Sequence, residues 1–258
     1  MIPQKKNQIN YALKATELML YYSYSKRKKI NIKKILSSEC DILRKTSLYN
    51  FKKKKIYSKK EKQWKKILQK IEILSQYSKT YFVKKSLKIL KPFLLERIKK
   101  KQSLVEYNTL ANFGCFDFSI KDSKIDLHMP VFRFISPEIK NYKSFSKKKK
   151  LSLRANDLYE LLIFTKKKYP KFKVVQMGSW MNQFKPFKKL FPKNWKPNGK
   201  EKNKNSIAWW GQFLKSDGDI NYQLYQNFKK NLKFKYKGRF YQCRRDEIIN
   251  HIEKINEK

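Results

Sequence analysis

The sequence is short of the residues that usually announce a reaction. It carries two histidines, three cysteines and six glycines in 258 residues. So few glycines leave no loop whose backbone amides could cradle phosphate, and neither GxxxxGK[ST] nor GxGxxG occurs. Cys40, Cys115 and Cys243 stand far apart with no CxxC or CxxH pairing. That argues against structural zinc and a disulfide framework, and for a reducing compartment. Together with the two histidines they supply no ligand pair at helical spacing, so no metal site is expected. No serine sits in GxSxG, which removes the nucleophile elbow. Long apolar runs are missing too: nothing approaches a membrane span, and MIPQKKNQIN has no apolar leader core. A cytoplasmic location is the expectation.

Acidic residues are equally scarce, 20 against 64 Lys and Arg, for a formal charge of +44. Such a field attracts polyanions, whether nucleic acid or an anionic surface. Only eight of the basic residues are Arg, the side chain whose planar fork reads phosphate and guanine bidentately. Lys, Asn, Ile, Tyr and Phe are abundant instead, the pattern an A/T-rich genome imposes on solvated positions. Weak, non-specific polyanion binding is expected from either cause. A basic nucleic-acid-associated protein without enzymatic activity is accordingly one reading of function. The carboxylates, Asp117, Asp126 and Asp157 among them, show no pairing recognisable along the chain.

What is present is the pattern of a folded α+β protein. Hydrophobic residues make up 40% and aromatics 15%, enough for a sizeable core in one large domain or two modest ones. Residues 1–114 read as a helical N-terminal region. Ala12, Ala15, Met19 and Tyr22 recur at helical spacing, as do Trp64, Ile67, Leu68, Ile71 and Leu74. Pro92 begins or bends a further helix. SLVEYNTLANFG predicts another, with Ser103 as cap, Glu106 at the capping-box position and Gly114 as stop. Residues 115–258 change period into a mixed α/β region. Phe116–Ile120 and Ile125–Met129 alternate around the turn tetrad Lys121-Asp122-Ser123-Lys124, and Pro130 ends the second strand. A basic loop, KNYKSFSKKKK, leads into a helix with Leu151, Ala155, Leu158, Leu162 and Thr165 on one face. Lys173–Met177 reads as a strand, Phe184–Leu190 as a short helix and PNGKEKNKNS as a polar linker. Ile207–Phe213 then reads as a strand, Asn221–Leu232 as a helix and Gly238–Cys243 as a last strand. The C-terminal helix puts Ile248, Ile252 and Ile255 on one side. The expectation is a helical part packed on a mixed sheet with covering helices.

His128 closes a strand, where an imidazole can exchange protons near neutral pH. Ser179 follows a strand directly and can either face a cleft or cap the next helix. Arg239, Arg244 and Arg245 form the chain's one arginine cluster, suited to an anion contact. Phe184, Phe187 and Phe191 lie beside lysines, as aromatics that stack on bases do, and also fit a helix core stripe.

Leu127-His128-Met129-Pro130, then a helix ending at Tyr169-Pro170, then Gly178-Ser179-Trp180-Met181 and Leu190-Phe191-Pro192 resembles the order in bacterial GNAT-like C-terminal domains. Trp210-Gly211-Gln212-Phe213 fits the further strand with an aromatic residue and Gln. The segment is also similar to uncharacterised bacterial proteins bearing Ser-Trp-Leu-Tyr-Asn, Leu-Phe-Pro and Trp-Gly-Gln-Phe, and Glu106-Tyr107-Asn108 and Phe113-Gly114 belong to the same set. The likeness spans about residues 103–215. It implies an acyltransferase-like protein on a splayed mixed sheet, with a small-molecule acyl donor such as acyl-CoA and an acceptor as partners. His128 would move the proton, with Ser179 and Asn182 as polar orienters, Arg133 as anion contact, and Trp180 and Gln212 lining the site. The pyrophosphate-binding Gln/Arg-x-x-Gly-x-Gly/Ala loop of that family is missing after Met129, where VFRFISPEI stands.

Overall fold

Apolar side chains that recur every three to four residues make the helices of the first part, and two-residue alternation makes the sheet of the second. The computed structural model describes residues 3–50, 53, 55–99, 110–129, 144–201, 210–213 and 220–257. They form two compact units, Met1–Glu106 with Asn203–Phe234, and Tyr107–Lys202 with Lys235–Lys258. The α+β class is as expected.

In the helical unit, α1 (Pro3–Lys26) buries Tyr11, Ala12, Ala15, Leu18, Met19 and Tyr22. The two alanines let it pack closely against α4 (Lys79–Lys99). A short turn α2 (Ile32–Lys34), capped by Asn31, follows. The strands β1 (Tyr49–Asn50) and β2 (Lys55–Ile56) pair antiparallel. In α3 (Glu61–Leu74) Trp64, Ile67 and Ile71 are buried while the remaining faces are largely Lys and Gln. Full burial of such a side chain stabilises by about 1.5–3 kcal/mol.

Pro92 starts no new helix; it lies exposed inside α4. Phe82, Ser86, Leu90 and Leu94 stay buried at four-residue intervals on both sides of it, so packing carries the helix past the missing donor. The helix α7 (Tyr222–Asn231) is capped by the Asn221 side chain and stopped by Leu232 at φ 55°. Trp210 is buried within centroid distances of 5.9, 5.6 and 5.1 Å of the rings of Tyr22, Phe228 and Phe234.

The second unit holds a six-stranded sheet in the order β3 (Ala111–Phe113), β4 (Phe116–Lys121), β5 (Lys124–His128), β6 (Val174–Ser179), β8 (Arg239–Arg244), β7 (Lys196–Glu201). All neighbours are antiparallel except β5 and β6. That parallel pair is bridged by α5 (Lys147–Lys168), and the four-residue helix α6 (Lys185–Lys188) follows β6. One face of the sheet is apolar. Phe116, Phe118, Ile125, Leu127, Val175, Met177 and Tyr241 share a core with Ala155, Leu158 and Leu162 of α5 and with Ile248 and Ile252 of α8 (Arg245–Asn256).

Four expectations change here. Ala111–Phe113 is a strand, not the end of a helix, and Gly114 turns into β4 at φ 51°. A Cβ on Gly114 would lie 2.1 Å from Cγ of Asp157, whose Oδ2 accepts from the Cys115 amide at 2.9 Å. Residues 103–109, and with them Ser103, Glu106 and the Glu106-Tyr107-Asn108 motif, lie outside the described residues, as does Pro130. Within the predicted strand Ile207–Phe213, Gly211–Phe213 forms a tight helical turn. Trp210, Gly211, Gln212 and Phe213 are all buried, which no one-sided strand allows. The predicted linker instead supplies β7, an edge strand that tolerates Pro197 and takes a register shift before Glu201. The basic loop before α5 is also shorter than expected: Ser146 accepts from the Lys149 amide and draws the lysines from 147 onward into the helix.

A polar sheet face as the candidate active site

The β4–β5 hairpin builds the site. Its turn residues, Asp122 at φ 49° and Ser123 at φ 57°, make a tight two-residue reversal of the type that matches strand twist. The closing pair Lys121–Lys124 then places Ser119 opposite Asp126 and Asp117 opposite His128. Alternation puts all six side chains on the face away from the apolar core. The parallel pairing of Asp126 with Gln176 and the antiparallel pairing of Gln176 with Gln242 continue that face across β6 and β8.

Contacts fix several of these groups. Ser119 Oγ is 2.9 Å from His128 Nε2, and Asp126 Oδ2 is 3.9 Å from the same nitrogen. Lys124 Nζ donates to Gln242 Oε1 at 2.8 Å, and Asn198 Nδ2 donates to that oxygen at 2.6 Å. Since β6 separates β5 from β8, the lysine stem runs over β6, and its charge lies along the row of Asp126 and Gln176.

Asp117 and Asp126, exposed by 4% and 8%, are the only buried carboxylates among the described residues. They are diagonal neighbours on adjacent strands, a spacing of roughly 7–8 Å and somewhat less between Cβ atoms. Among the described residues no group of three or more His, Cys, Asp or Glu is arranged to hold a metal ion. Two carboxylates are nonetheless a sufficient protein share for Mg²⁺, whose shell is usually completed by water and substrate phosphate.

The other predicted site residues are not gathered here. Ser179 pairs with Arg239 on the opposite face, and its Oγ accepts from the Met181 amide at 3.1 Å, capping the turn that follows. His128 and Ser179 therefore do not share a cleft. Gly178 is needed because a Cβ there would meet the Phe240 ring at 2.7 Å. Trp180 stacks on Tyr236 with centroids 5.6 Å apart. Asn182 is buried and fully committed: it donates to the carbonyls of Met177 and Arg239 at 2.8 and 3.1 Å and accepts from Trp195 Nε1 at 3.2 Å.

The three arginines do not act as one cluster. Arg245 is buried and caps the end of α5, with Nη1 on the carbonyls of Thr165 and Tyr169 at 2.9 and 3.3 Å. Arg244 is exposed at the start of α8 and Arg239 is half-buried. Gln212 is buried in the other unit. Arg133 lies outside the described residues. No helix among the described residues is long and apolar enough to cross a membrane.

Sequence reading missed the Asp117–Asp126 pair, although the means to find it was present. Taking Lys121-Asp122-Ser123-Lys124 as a two-residue hairpin fixes the register, and the register brings both aspartates and His128 to one face. No family model, curated protein or solved structure matches the chain.

Proposed function

We propose that this protein is a divalent-cation-dependent phosphodiesterase acting on nucleic acid, with the polar sheet face as its active site. The observation that carries this reading is the placement of the only two buried carboxylates among the described residues on one strand face beside His128. Asp117 and Asp126 would hold the cation, which when bound polarises the phosphoryl oxygen and acidifies water. Hydrolysis forms one P–O bond from water and breaks one ester P–O bond. His128, oriented by Ser119, takes the water proton, and the leaving oxygen is protonated from solvent. Lys124, tethered by Gln242, supplies positive charge where the phosphoryl group gains negative charge. The surplus of basic residues favours a polyanionic substrate. The acyl-transfer reading takes His128 as proton carrier with Ser179 as a polar orienter, whereas strand alternation turns these two side chains to opposite faces of the sheet.

The test is cleavage of labelled single- and double-stranded DNA and RNA with Mg²⁺ or Mn²⁺. The expected result is cutting that chelation abolishes. Asp117→Asn and Asp126→Asn should each lower it by at least ~100-fold while binding persists, and His128→Ala should lower it by ~100-fold or more. Intact substrate under every cation would sink the reading and leave the non-enzymatic nucleic-acid binder. Equal cutting by the aspartate variants would sink the site.

A further inference from the structure

We propose that the cleft around Tyr21 in the helical unit binds a terminal phosphate, carried by a mononucleotide or by the end of a nucleic-acid strand. The cleft has a volume of about 330 Å³, at the small end of the range for ligand sites. Val83 and Leu87 of α4 give it an apolar wall, and Lys79, Lys84 and Lys229 give it charge.

Tyr21 organises the cations. Its hydroxyl donates to the Lys229 carbonyl at 3.0 Å and accepts from Lys79 Nζ at 3.3 Å. The ammonium groups of Lys79 and Lys229 also lie 4.6 and 5.5 Å from its ring centroid. Two like charges are thus gathered on one phenol, and an anion placed between them is attracted by both.

None of the three lysines is ion-paired with a described carboxylate. Glu17 also lines the cleft, but its oxygens are committed to Tyr225 Oη at 2.6 Å and Lys14 Nζ at 3.2 Å. A terminal phosphate matches this arrangement better than an internal diester. It carries close to two charges and three strong acceptor oxygens, against one charge on the diester. The apolar wall then receives the sugar or base beside it. This inference stands whether or not the sheet face cuts nucleic acid.

The general field of the protein binds any polyanion, so the experiment compares ligands differing only at the end. Fluorescence anisotropy would measure one single-stranded oligonucleotide with a 5′-phosphate and the same strand with a 5′-hydroxyl, at salt high enough to suppress general binding. Calorimetry with adenosine monophosphate forms the second arm. The expected result is a preference of roughly tenfold for the phosphorylated end, the size of a charge-assisted contact. Lys79→Gln/Lys229→Gln should abolish it, whereas Lys66→Gln/Lys70→Gln on exposed positions of α3 should keep it. Melting curves would confirm that both variants fold. Heat from the mononucleotide that disappears in the cleft variant assigns the site to free nucleotides as well as strand ends; preference without heat assigns it to strand ends. Equal binding of both oligonucleotides with no heat from the mononucleotide overturns the proposal, as does a preference that survives the cleft substitutions.

Discussion

Lys45 shows how differently one lysine can behave from the many around it. It is 2% exposed, and its ammonium donates to the carbonyls of Cys40 and Asp41. Burial pushes its pKa down to about 8, offset in part by the Asp41 carboxylate. The folded state thus sheds this proton before the unfolded chain does, and between pH 8 and the ordinary lysine value the unfolded chain binds more protons. Its contribution to stability should therefore rise with pH through that interval, by about 1 kcal/mol from pH 8 to 9. Cys40 acts in the opposite sense. Its thiol is pushed up to about 12 by burial, so stability falls as pH climbs above the ordinary thiol range. Urea melts of the native protein and Lys45→Met at pH 7, 8 and 9 check this: the native stability measured relative to the variant should gain about 1 kcal/mol from pH 8 to 9, the thiol contributions being common to both. Nothing along the chain marks Lys45 in advance, because its burial is decided by the fold around it. Asn182 was picked out from the sequence, yet as a site residue; its three hydrogen bonds, each worth about 1 kcal/mol, make it a latch between β6, β8 and Trp195.

At the scale of elements, the β4–β5 hairpin is the part on which the candidate site depends. Asp122 and Ser123 both occupy left-handed backbone, where L side chains are strained. Asp122→Asn/Ser123→Gly should therefore stabilise the protein by about 1 kcal/mol without touching the polar face, read as a higher Tm with unchanged cleavage. A lower Tm would mean that the turn is not what sets the register. Elements whose pattern repeats over several turns or alternates cleanly were legible: the helices carrying Trp64, Leu158 and Ile252, and the strands around Phe118, Leu127 and Val175. The misses share a cause, which is that neighbours outweighed local pattern. Pro92 stays in a helix because apolar contacts continue past it, and the Trp210–Phe213 segment coils because rings bury every residue. The stretch around Pro197 becomes a strand because β8 offers it an edge. The aspartate pair was hidden for a different reason. Its members are near in sequence, but they become neighbours only once the register of the turn is fixed.

Over the whole molecule, charge governs association more than fold. With 64 basic and 20 acidic residues, binding to a duplex of about 30 base pairs should weaken roughly 10²–10³-fold between ~50 and ~200 mM salt, as expected for several displaced counterions. Anisotropy titrations over that range measure the slope; affinity independent of salt would contradict an electrostatic origin. The order of units along the chain has a further consequence. The helical unit is made of Met1–Glu106 and Asn203–Phe234, and the second piece carries Trp210, Phe213 and Phe228, which complete its aromatic core. On the ribosome, α1 emerges long before those rings do. At ~5–20 residues per second the wait is on the order of ten seconds, during which Tyr22 and its neighbours have no permanent cover. The N-terminal helices are thus clients for a chaperone until the segment after residue 203 has been synthesised, and no cut of the gene at a single point yields either unit whole.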